Sequence, residues 1–357
     1  MYAIILGFIT AFTLTFLMIP VIIRVARERR LYDKPNERSA HIEPTPSLGG
    51  IGIFAGAICG IVLWTPLEVF GVLQYIFAAF VMLFLIGVLD DIMPMSPMKK
   101  FIGQLLAAAV LAYKAGIRIT DLHGVLGVTT IPEISSFVLS IVVIVGIINA
   151  VNLIDGINGL AGSIGLLACL LWGSWFFVID EMAFAMVAFS LAGGIIAFLK
   201  YNFTPARIFM GDTGSLLIGL VCAVMTIHFI EMNHKDHIPA QYMFQSAPAI
   251  AFAMLIVPLF DTFRVFFVRI AQGRSPFHPD RNHIHHLLLD IGLNHLQATL
   301  ALVSATIIFV IATYLLHNWG TLILILLQLS VATSATYLLY RRRLALEQTR
   351  NNTHQSQ

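Results

Sequence analysis

Residues 72–91 read VLQYIFAAFVMLFLIGVLDD, an apolar stretch that ends in two adjacent carboxylates, Asp90 and Asp91. A helix needs roughly 20 apolar residues to cross a bilayer, so the stretch predicts a membrane span. A charge inside the bilayer costs at least about 2.5 kcal/mol, and acidic residues are unfavourable at a helix C-terminus. The pair therefore indicates a functional group at a membrane edge, with a helix end frayed into water as the plainer alternative.

The whole chain has the composition of a membrane protein. Of its 357 residues, 58% are hydrophobic and 11% are charged, with a mean hydropathy of +0.87, whereas soluble domains average about 25% charged residues. The weakest predicted span is 102–117, because Lys114 lies inside it. We predict an all-α polytopic membrane protein with about eleven transmembrane helices, near 3–23, 48–65, 69–89, 102–117, 134–151, 160–179, 183–199, 213–231, 246–268, 297–316 and 319–340.

Basic residues predict the orientation of these spans. If the loop after the first span lies inside, only Lys114, Arg118 and Lys235 of the 21 Lys and Arg residues fall outside. Because positive residues favour the cytoplasmic side, we expect the N-terminus outside and the C-terminus inside. The first apolar stretch has no basic segment before it and is expected to be an anchor. We expect one transmembrane domain over 1–343 and a solvated tail over 344–357.

With this topology, every unusual polar segment falls on the inner side. The one-sided clustering favours a site that faces the cytosol over a path through the membrane. Asp90, Asp91, Asp155, Asp212 and Asp261 all border apolar stretches. The polar segments are 24–47, 90–101, 149–159, 200–215 and 269–295.

Two of these segments indicate divalent-cation chemistry. Asp90 and Asp91 repel one another unless a cation lies between them, and Mg²⁺ takes oxygen ligands together with phosphates and water. Asn149, Asn152 and Asp155 recur at every third position and so share one side of a helix. An inter-helix turn with capping amides is the alternative for the second segment.

The last two segments indicate phosphate binding. Residues 209–215 read FMGDTGS; a helix N-terminus attracts phosphate, and Asp212 can hold a metal there or simply cap the helix. The segment 269–295 holds five of the twelve histidines. A Zn²⁺ site through His283 and His286 is conceivable, but no cysteine accompanies them, so a phosphate-binding loop fits better.

Taken together, these motifs resemble those of the polyprenyl-phosphate N-acetylhexosamine-1-phosphate transferase superfamily, glycosyltransferase family 4. The likeness spans nearly the whole chain, and the combination is specific although each motif alone is not. The matching blocks are Asp90-Asp91 with Lys100 and Gln104, Asn149-x-x-Asn152-x-x-Asp155-Gly156, Phe209-Met210-Gly211-Asp212-x-Gly214-Ser215, and the run from His278 to His286.

The form of the histidine run is similar to that of the branch that transfers GlcNAc-1-phosphate from UDP-GlcNAc to undecaprenyl phosphate. The resemblance then implies undecaprenyl-diphosphate-GlcNAc and UMP as products, Mg²⁺ (or Mn²⁺) as cofactor, and the first step of O-antigen or enterobacterial common antigen synthesis in a bacterial inner membrane. UDP-MurNAc-pentapeptide and UDP-GalNAc stay open as donors. We expect the lipid bilayer and no nucleic acid as partners, and a homodimer is compatible with the sequence.

The resemblance and the chemistry together assign roles to individual residues. Catalysis is assigned to Asp90, Asp91, Lys100, Asp155, His285 and His286, and metal binding to Asp212 and Asp91. Substrate binding is assigned to Asn149, Asn152, Asn158, Asn202, Phe209, Gly211, Ser215, Arg281 and His283.

One position departs from the family pattern, and one family role is doubtful on chemical grounds. Asn158 stands where the family usually has a second aspartate, near the uracil, and its carbonyl can accept from uracil N3–H. A phosphomonoester has a second pKa near 6, so an ordinary aspartate is a poor base for it, and we expect Asp90 and Asp91 to place metal and phosphate instead. A covalent aspartyl-phosphate route stays open.

Two other classes of protein are weighed against the enzyme. A secondary transporter also carries membrane carboxylates, but its sites lie near the bilayer midplane on interrupted helices, and no inverted repeat is seen here. A scaffold subunit without chemistry would leave the aspartate and histidine sets unexplained.

Overall fold

The computed structural model describes residues 1–31, 45–233, 238–275 and 282–355. These residues form helices and connecting loops, with an isolated β bridge between Asp121 and Thr130. The helices are α1 Tyr2–Glu28, α2 Gly49–Trp64, α3 Leu73–Ile92, α4 Pro97–Tyr113, α5 Glu133–Leu153, α6 Leu160–Val178, α7 Met182–Asn202, α8 Gly211–Met232, α9 Ala247–Met254, α10 Ile256–Ala271, α11 Ile284–Asp290, α12 His295–Leu315 and α13 Thr321–Gln355.

The prediction of an all-α, multi-pass membrane protein is confirmed. Within the described ranges, eight helices are long and apolar enough to cross a membrane, and α9 and α10 together make a ninth. Each of the eleven predicted segments coincides with a helix, but α2 has only 16 residues and α4 has 17. At 1.5 Å per residue, α2 is shorter than the roughly 30 Å hydrocarbon core. The count of eleven spans therefore remains a prediction.

The predicted span 246–268 is broken into α9 and α10, which meet at an angle of 66°. Pro258 lies four residues after Met254, the last residue of α9, and has no N–H to donate to its carbonyl. Leu255, between the two helices, has non-helical dihedral angles. The break follows from a proline that hydropathy alone does not register.

Helix α8 is the centre of the bundle. Almost all of its side chains are buried, and α2, α3, α5 and α6 pack around it. The N-terminal end of α8 is approached closely because small residues face it: a Cβ placed on Gly50 would lie 2.1 Å from the Gly214 nitrogen, and one on Gly87 would lie 2.4 Å from the Thr213 Cα. Small residues allow helix backbones to approach in membranes.

The last helix differs from its predicted bounds. Helix α13 runs on to Gln355, well past the predicted end of the span at 340, and its residues 344–349 are exposed to solvent. Arg343 pairs with Asp290 of α11 at 3.3 Å and with Glu347 at 2.8 Å. The segment that we predicted as a tail is thus helical where it is described, and its separation from the domain stays a prediction.

Candidate active site

Helix ends that are far apart in sequence meet at one end of the bundle. They are the C-terminal ends of α3, α5 and α7 and the N-terminal ends of α4, α6 and α8. The first three predicted motifs lie on these ends or in the loops next to them. The site is therefore a product of the packing around α8.

Asp91 caps the N-terminus of α8 from the neighbouring helix α3. Its Oδ1 accepts from the Asp212 N–H at 2.7 Å, and its Oδ2 accepts from the Thr213 N–H at 3.0 Å and the Thr213 hydroxyl at 2.6 Å. The carboxylate thus takes the place at this N-terminus where we had predicted a phosphate, since free N–H groups there attract any anion. The alternative in which Asp212 caps its own helix is wrong, because Asp91 performs that task, while phosphate binding near this helix end stays a prediction.

Gly211 makes this approach possible. Its φ is +72°, in a region that suits glycine, and a Cβ there would lie 2.0 Å from the Ser47 carbonyl and 2.6 Å from an Asp91 oxygen. Gly211 therefore shapes the backbone, and its predicted contact with substrate stays a prediction.

The Lys100 ammonium lies between two carboxylates. It is 2.9 Å from Asp90 Oδ2 and in direct contact with Asp212 Oδ2. The three side chains retain 15–22% of their exposure, so this ionic cluster is open to solvent on one side. The second Asp90 oxygen accepts from the Met95 N–H at 2.6 Å, which holds the start of the α3–α4 loop.

Two asparagines of α5 lie beside this cluster. Asn152 donates to Asp212 Oδ1 at 3.0 Å and to the Ser215 hydroxyl at 2.8 Å. Asn149, one turn earlier, exchanges hydrogen bonds of 2.6 and 3.3 Å with Gln104 of α4. The amides of α5 therefore orient Asp212 and tie α4 to α5. Ser215 is fully buried. Both Ser215 and Asn149 contact other residues of the protein, and their contact with substrate remains a prediction.

Asp155 lies in the loop between α5 and α6. Its carboxylate has no hydrogen-bond partner among the described residues. Loss of hydration raises the pKa of Asp155 well above its ordinary value, and the negative charges of Asp212 and Asp91 raise it further. A cation brought near the three carboxylates would relieve this repulsion.

A second polar group surrounds Asn158. Its amide donates to the Thr204 hydroxyl at 3.1 Å, and its backbone carbonyl accepts from the Thr299 hydroxyl at 2.9 Å. The side-chain oxygen Oδ1 is buried and has no partner among the described residues. A buried acceptor without a donor costs about 1–3 kcal/mol, so this oxygen suits a ligand that brings an N–H.

Asn202 and Phe209 shape the neighbouring loops. Asn202 accepts from the Gly159 N–H at 2.7 Å and donates to the Ile208 carbonyl at 2.9 Å. The Phe209 backbone accepts from Gly49 at 2.9 Å and donates to Pro46 at 2.7 Å. The end of the first loop, 45–50, therefore lies against the loop before α8. Neither Asn202 nor Phe209 is shown to meet a substrate.

The histidine run enters the site through α11. His283 and His285 are buried and their rings lie parallel at 5.6 Å, while His285 and His286 are 4.3 Å apart. His285 packs on Gly156, where a Cβ would lie 2.5 Å from its Nε2. Loss of hydration lowers the pKa of His285 to about 3, with the neighbouring His286 adding to the effect. The buried ring is therefore neutral near pH 7, and the part of His285 in catalysis and phosphate binding stays a prediction. Arg281 lies outside the described residues.

The carboxylates of the site differ in how well they could bind the predicted Mg²⁺. No group of three or more His, Cys, Asp or Glu side chains in the described part of the chain has the arrangement of a metal site. Mg²⁺, however, is usually bound through one or two carboxylates plus substrate phosphates. Asp90 and Asp212 already share one cation, the Lys100 ammonium, so the pair fits a cation that arrives with a diphosphate. Asp91 fits less well because both its oxygens are engaged at α8.

Several residues of the site escaped prediction. Thr213, Thr204 and Thr299 each donate or accept within it, yet a threonine in an apolar helix or a short loop carries no sequence signal of its own. Arg264, which reaches Asp261 at 2.8 Å, was counted only as a topology-setting charge. The pairing of each residue depends on a helix that is distant in sequence.

Comparison with known proteins gives a consistent result. A family model described as Glycosyl transferase family 4 matches residues 73–230, which include the first three motifs but not the histidine run. The chain is 32% identical over 333 residues to the undecaprenyl-phosphate alpha-N-acetylglucosaminyl 1-phosphate transferase of Haemophilus influenzae, covering 90% of this chain and 89% of that protein. It is 34% identical over 327 residues to the Pasteurella multocida protein of the same name, covering 88% of each. Identity to the decaprenyl-phosphate N-acetylglucosaminephosphotransferase of Mycolicibacterium smegmatis is 31% over 288 residues, with 74% and 70% covered.

Proposed function

Because the chain belongs to glycosyl transferase family 4 and is a membrane enzyme that transfers substituted phosphate groups, we propose that it transfers GlcNAc-1-phosphate from UDP-GlcNAc to undecaprenyl phosphate. The products are undecaprenyl-diphosphate-GlcNAc and UMP. The observation that carries the proposal is the convergence of Asp90, Lys100 and Asp212 at one end of the bundle. A lipid phosphate can reach this end laterally while a soluble nucleotide arrives from the water phase.

The side of the membrane on which the site lies must be the side that holds the soluble donor, UDP-GlcNAc. We place the site on the cytoplasmic face of a bacterial inner membrane, with about eleven helical segments embedded, the N-terminus outside and the C-terminus inside. The distribution of Lys and Arg supports this orientation. On this proposal the product starts O-antigen or enterobacterial common antigen synthesis.

Asp212, with Asp90, is the proposed ligand pair for Mg²⁺, and Mn²⁺ is the alternative. When bound, the metal neutralises diphosphate charge and makes UMP a better leaving group. Lys100 has a flexible stem, so its ammonium can turn from the carboxylates towards phosphate oxygens. Asn152 holds Asp212 Oδ1 at 3.0 Å and thereby fixes the direction of its other oxygen.

Transfer requires few protons to move. The lipid phosphate is largely a dianion at neutral pH, since its second pKa is near 6, and its oxygen attacks the β-phosphorus of UDP-GlcNAc. A new P–O bond forms as the bond from the β-phosphorus to the bridging oxygen breaks, and UMP leaves with that oxygen. Positioning and charge neutralisation supply most of the rate in such reactions. Asp90 and Asp212 are thus placement residues, and no general base is needed.

Asn158 is the proposed nucleotide contact. Its buried Oδ1 lacks a donor among the described residues, and uracil N3–H would supply one. The Thr204 and Thr299 contacts hold the residue in place, so the acceptor is preorganised.

A secondary transporter is less well supported. Transport sites lie near the bilayer midplane on interrupted helices, whereas Asp90, Lys100 and Asp212 lie at helix ends. The broken pair α9–α10 carries none of these three residues.

Purified protein tests the proposal directly. It is incubated with undecaprenyl phosphate, Mg²⁺ and UDP-GlcNAc, UDP-GalNAc or UDP-MurNAc-pentapeptide, and UMP and lipid-linked sugar are measured. We expect turnover with UDP-GlcNAc to exceed that with the other two donors. Preference for another donor would move the enzyme to another branch of the family, and absence of UMP release with all three would refute the reaction.

A further inference from the structure

Asp261 of α10 is a buried carboxylate that the reaction above does not use. It is 1% exposed, and each of its hydrogen bonds to the described residues comes from a donor. Arg264 Nη2 donates to its Oδ1 at 2.8 Å, and the Ile284 N–H lies 3.0 and 3.1 Å from its two oxygens. Its Oδ2 is also 3.0 Å from His283 Nδ1. A charge buried this deeply is strongly destabilising unless such partners surround it.

These contacts determine where α11 begins. Helix α11 has seven residues and no side-chain cap of its own, and isolated helices of that length are unstable in water. Asp261 supplies the cap from another helix, and Arg264 also contacts the Asn282 carbonyl. The described part of the histidine run, which begins at Asn282, is therefore held on α10.

The same carboxylate determines the tautomer of His283. Because a carboxylate only accepts, Nδ1 must carry the hydrogen, which leaves Nε2 as the acceptor of a neutral ring. Nε2 makes no hydrogen bond to any other described residue. The His283 ring stacks at 5.6 Å on His285, which packs on Gly156 beside Asp155. A continuous set of contacts thus links Asp261 to the site.

We propose that Asp261 is a positioning residue for the transfer reaction, acting by orienting His283 and fixing its Nδ1–H tautomer. The inference rests on the function proposed above. A carboxylate that orients a histidine has large effects in other enzymes, and outer partners of functional histidines are typically worth about 10–100-fold in activity.

Asp261→Asn is the informative variant. The asparagine keeps one oxygen for the Ile284 N–H but presents an amide NH₂ to His283 Nδ1, so the ring must change tautomer or turn. We expect kcat for UMP release to fall about 10–100-fold, with KM for UDP-GlcNAc changed less than about threefold. Thr262→Val is the matched control, because the neighbouring Thr262 hydroxyl is buried without a partner in the described structure; its kcat should stay within about twofold of the wild type.

A double-mutant cycle separates positioning from simple structural support. If Asp261 acts through His283, adding Asp261→Asn to His283→Ala should lower kcat by less than about twofold more. Losses that multiply would overturn the inference. An inactive wild type would instead refute the proposed function, so the two failures are distinguishable.

A spectroscopic measurement keeps the inference testable even if Asp261→Asn fails to fold. Protein labelled with ¹⁵N-histidine reports the tautomer of each ring, and the signal missing from His283→Ala identifies His283. The expected signal is that of a ring with hydrogen on Nδ1. A neutral ring with hydrogen on Nε2 would show that Asp261 does not accept from it, and the inference would be wrong.

Discussion

Asp90 and Asp91 are neighbours in the chain but have different surroundings. Asp90 faces the Lys100 ammonium and is partly open to solvent, whereas Asp91 reaches into the N-terminus of α8. The sequence marks both as important because two carboxylates end an apolar segment. The sequence could not separate them, because the partners of Asp91 lie on a helix 121 and 122 residues further along the chain.

The different surroundings predict different consequences of mutation. Asp91→Ala leaves the N–H groups of Asp212 and Thr213 unpaired, and each such loss costs about 1–3 kcal/mol, so the melting temperature of the detergent-solubilised protein should fall. Asp90→Ala should lose activity with a smaller fall in melting temperature, because it frees one backbone N–H instead of two. Thermal denaturation of the two variants side by side is the measurement. Equal melting temperatures would contradict the capping role of Asp91.

Asn158 provides a test at the nucleotide. Asn158→Ala removes the buried acceptor, so we expect KM for UDP-GlcNAc to rise about tenfold, corresponding to one hydrogen bond of about 1.4 kcal/mol. KM for undecaprenyl phosphate should not change and serves as the internal control. An unchanged KM for UDP-GlcNAc would remove Asn158 from the nucleotide site.

The burial of His285 should make the stability of the folded protein depend on pH. The pKa of His285 is lowered to about 3 in the folded protein, against about 6.5 for an ordinary histidine, so below pH 6.5 the unfolded chain binds a proton that the folded one does not. Stability should therefore fall with decreasing pH, by about 1.4 kcal/mol per pH unit from this group, down to about pH 3. The drop in melting temperature between about pH 7.5 and 5.5 should be smaller in His285→Gln. Both proteins should behave alike above pH 7.5, and an equal acid sensitivity would argue against a buried neutral ring.

At the scale of the helices, hydropathy predicted nearly every element because spans are long and apolar. The exceptions have physical reasons. The break between α9 and α10 follows from Pro258, a local signal that a hydropathy window averages away. Helix α13 continues beyond its apolar part because the residues that follow, such as Arg, Ala, Glu and Gln, favour helix. The helix is therefore longer than its apolar segment.

The contact between α3 and α8 makes a prediction about helix packing. Gly87→Ala would place a Cβ 2.4 Å from the Thr213 Cα, which forces two backbones apart next to the Asp91 cap. Overpacking costs about 1–3 kcal/mol, so we expect a lower melting temperature and loss of activity.

Gly146→Ala is the matched control for that substitution. Gly146 is also inside a helix, but nothing lies within 4 Å of a Cβ there, and alanine favours a helix by about 1 kcal/mol over glycine. This variant should be as stable as the wild type or more so. Similar losses in both variants would mean that the close approach of α3 and α8 does not matter.

At the scale of the whole molecule, we propose that the active site and most of the Lys and Arg residues lie on the cytoplasmic side of the membrane. A cysteine at Asn318, between α12 and α13, should lie outside, and a cysteine at Gln348 in α13 should lie inside. In a background with Cys59, Cys169 and Cys222 replaced, an impermeant maleimide should label the first variant in intact spheroplasts and the second only after lysis. The reverse pattern would invert the topology and separate the site from its soluble donor.

The distance along the chain between α3, which carries Asp90, and α11, which carries His285, has a consequence for biogenesis. The two helices leave the ribosome at widely different times, α3 in the first third of synthesis and α11 in the last. Until α11 has been made and has docked on the loop at Gly156, a nascent chain holds Asp90, Asp155 and Asp212 but lacks His285 beside that loop. On the function proposed above, we therefore expect chains truncated before α11 to insert in the membrane but to lack transfer activity, so that they would not consume the lipid carrier.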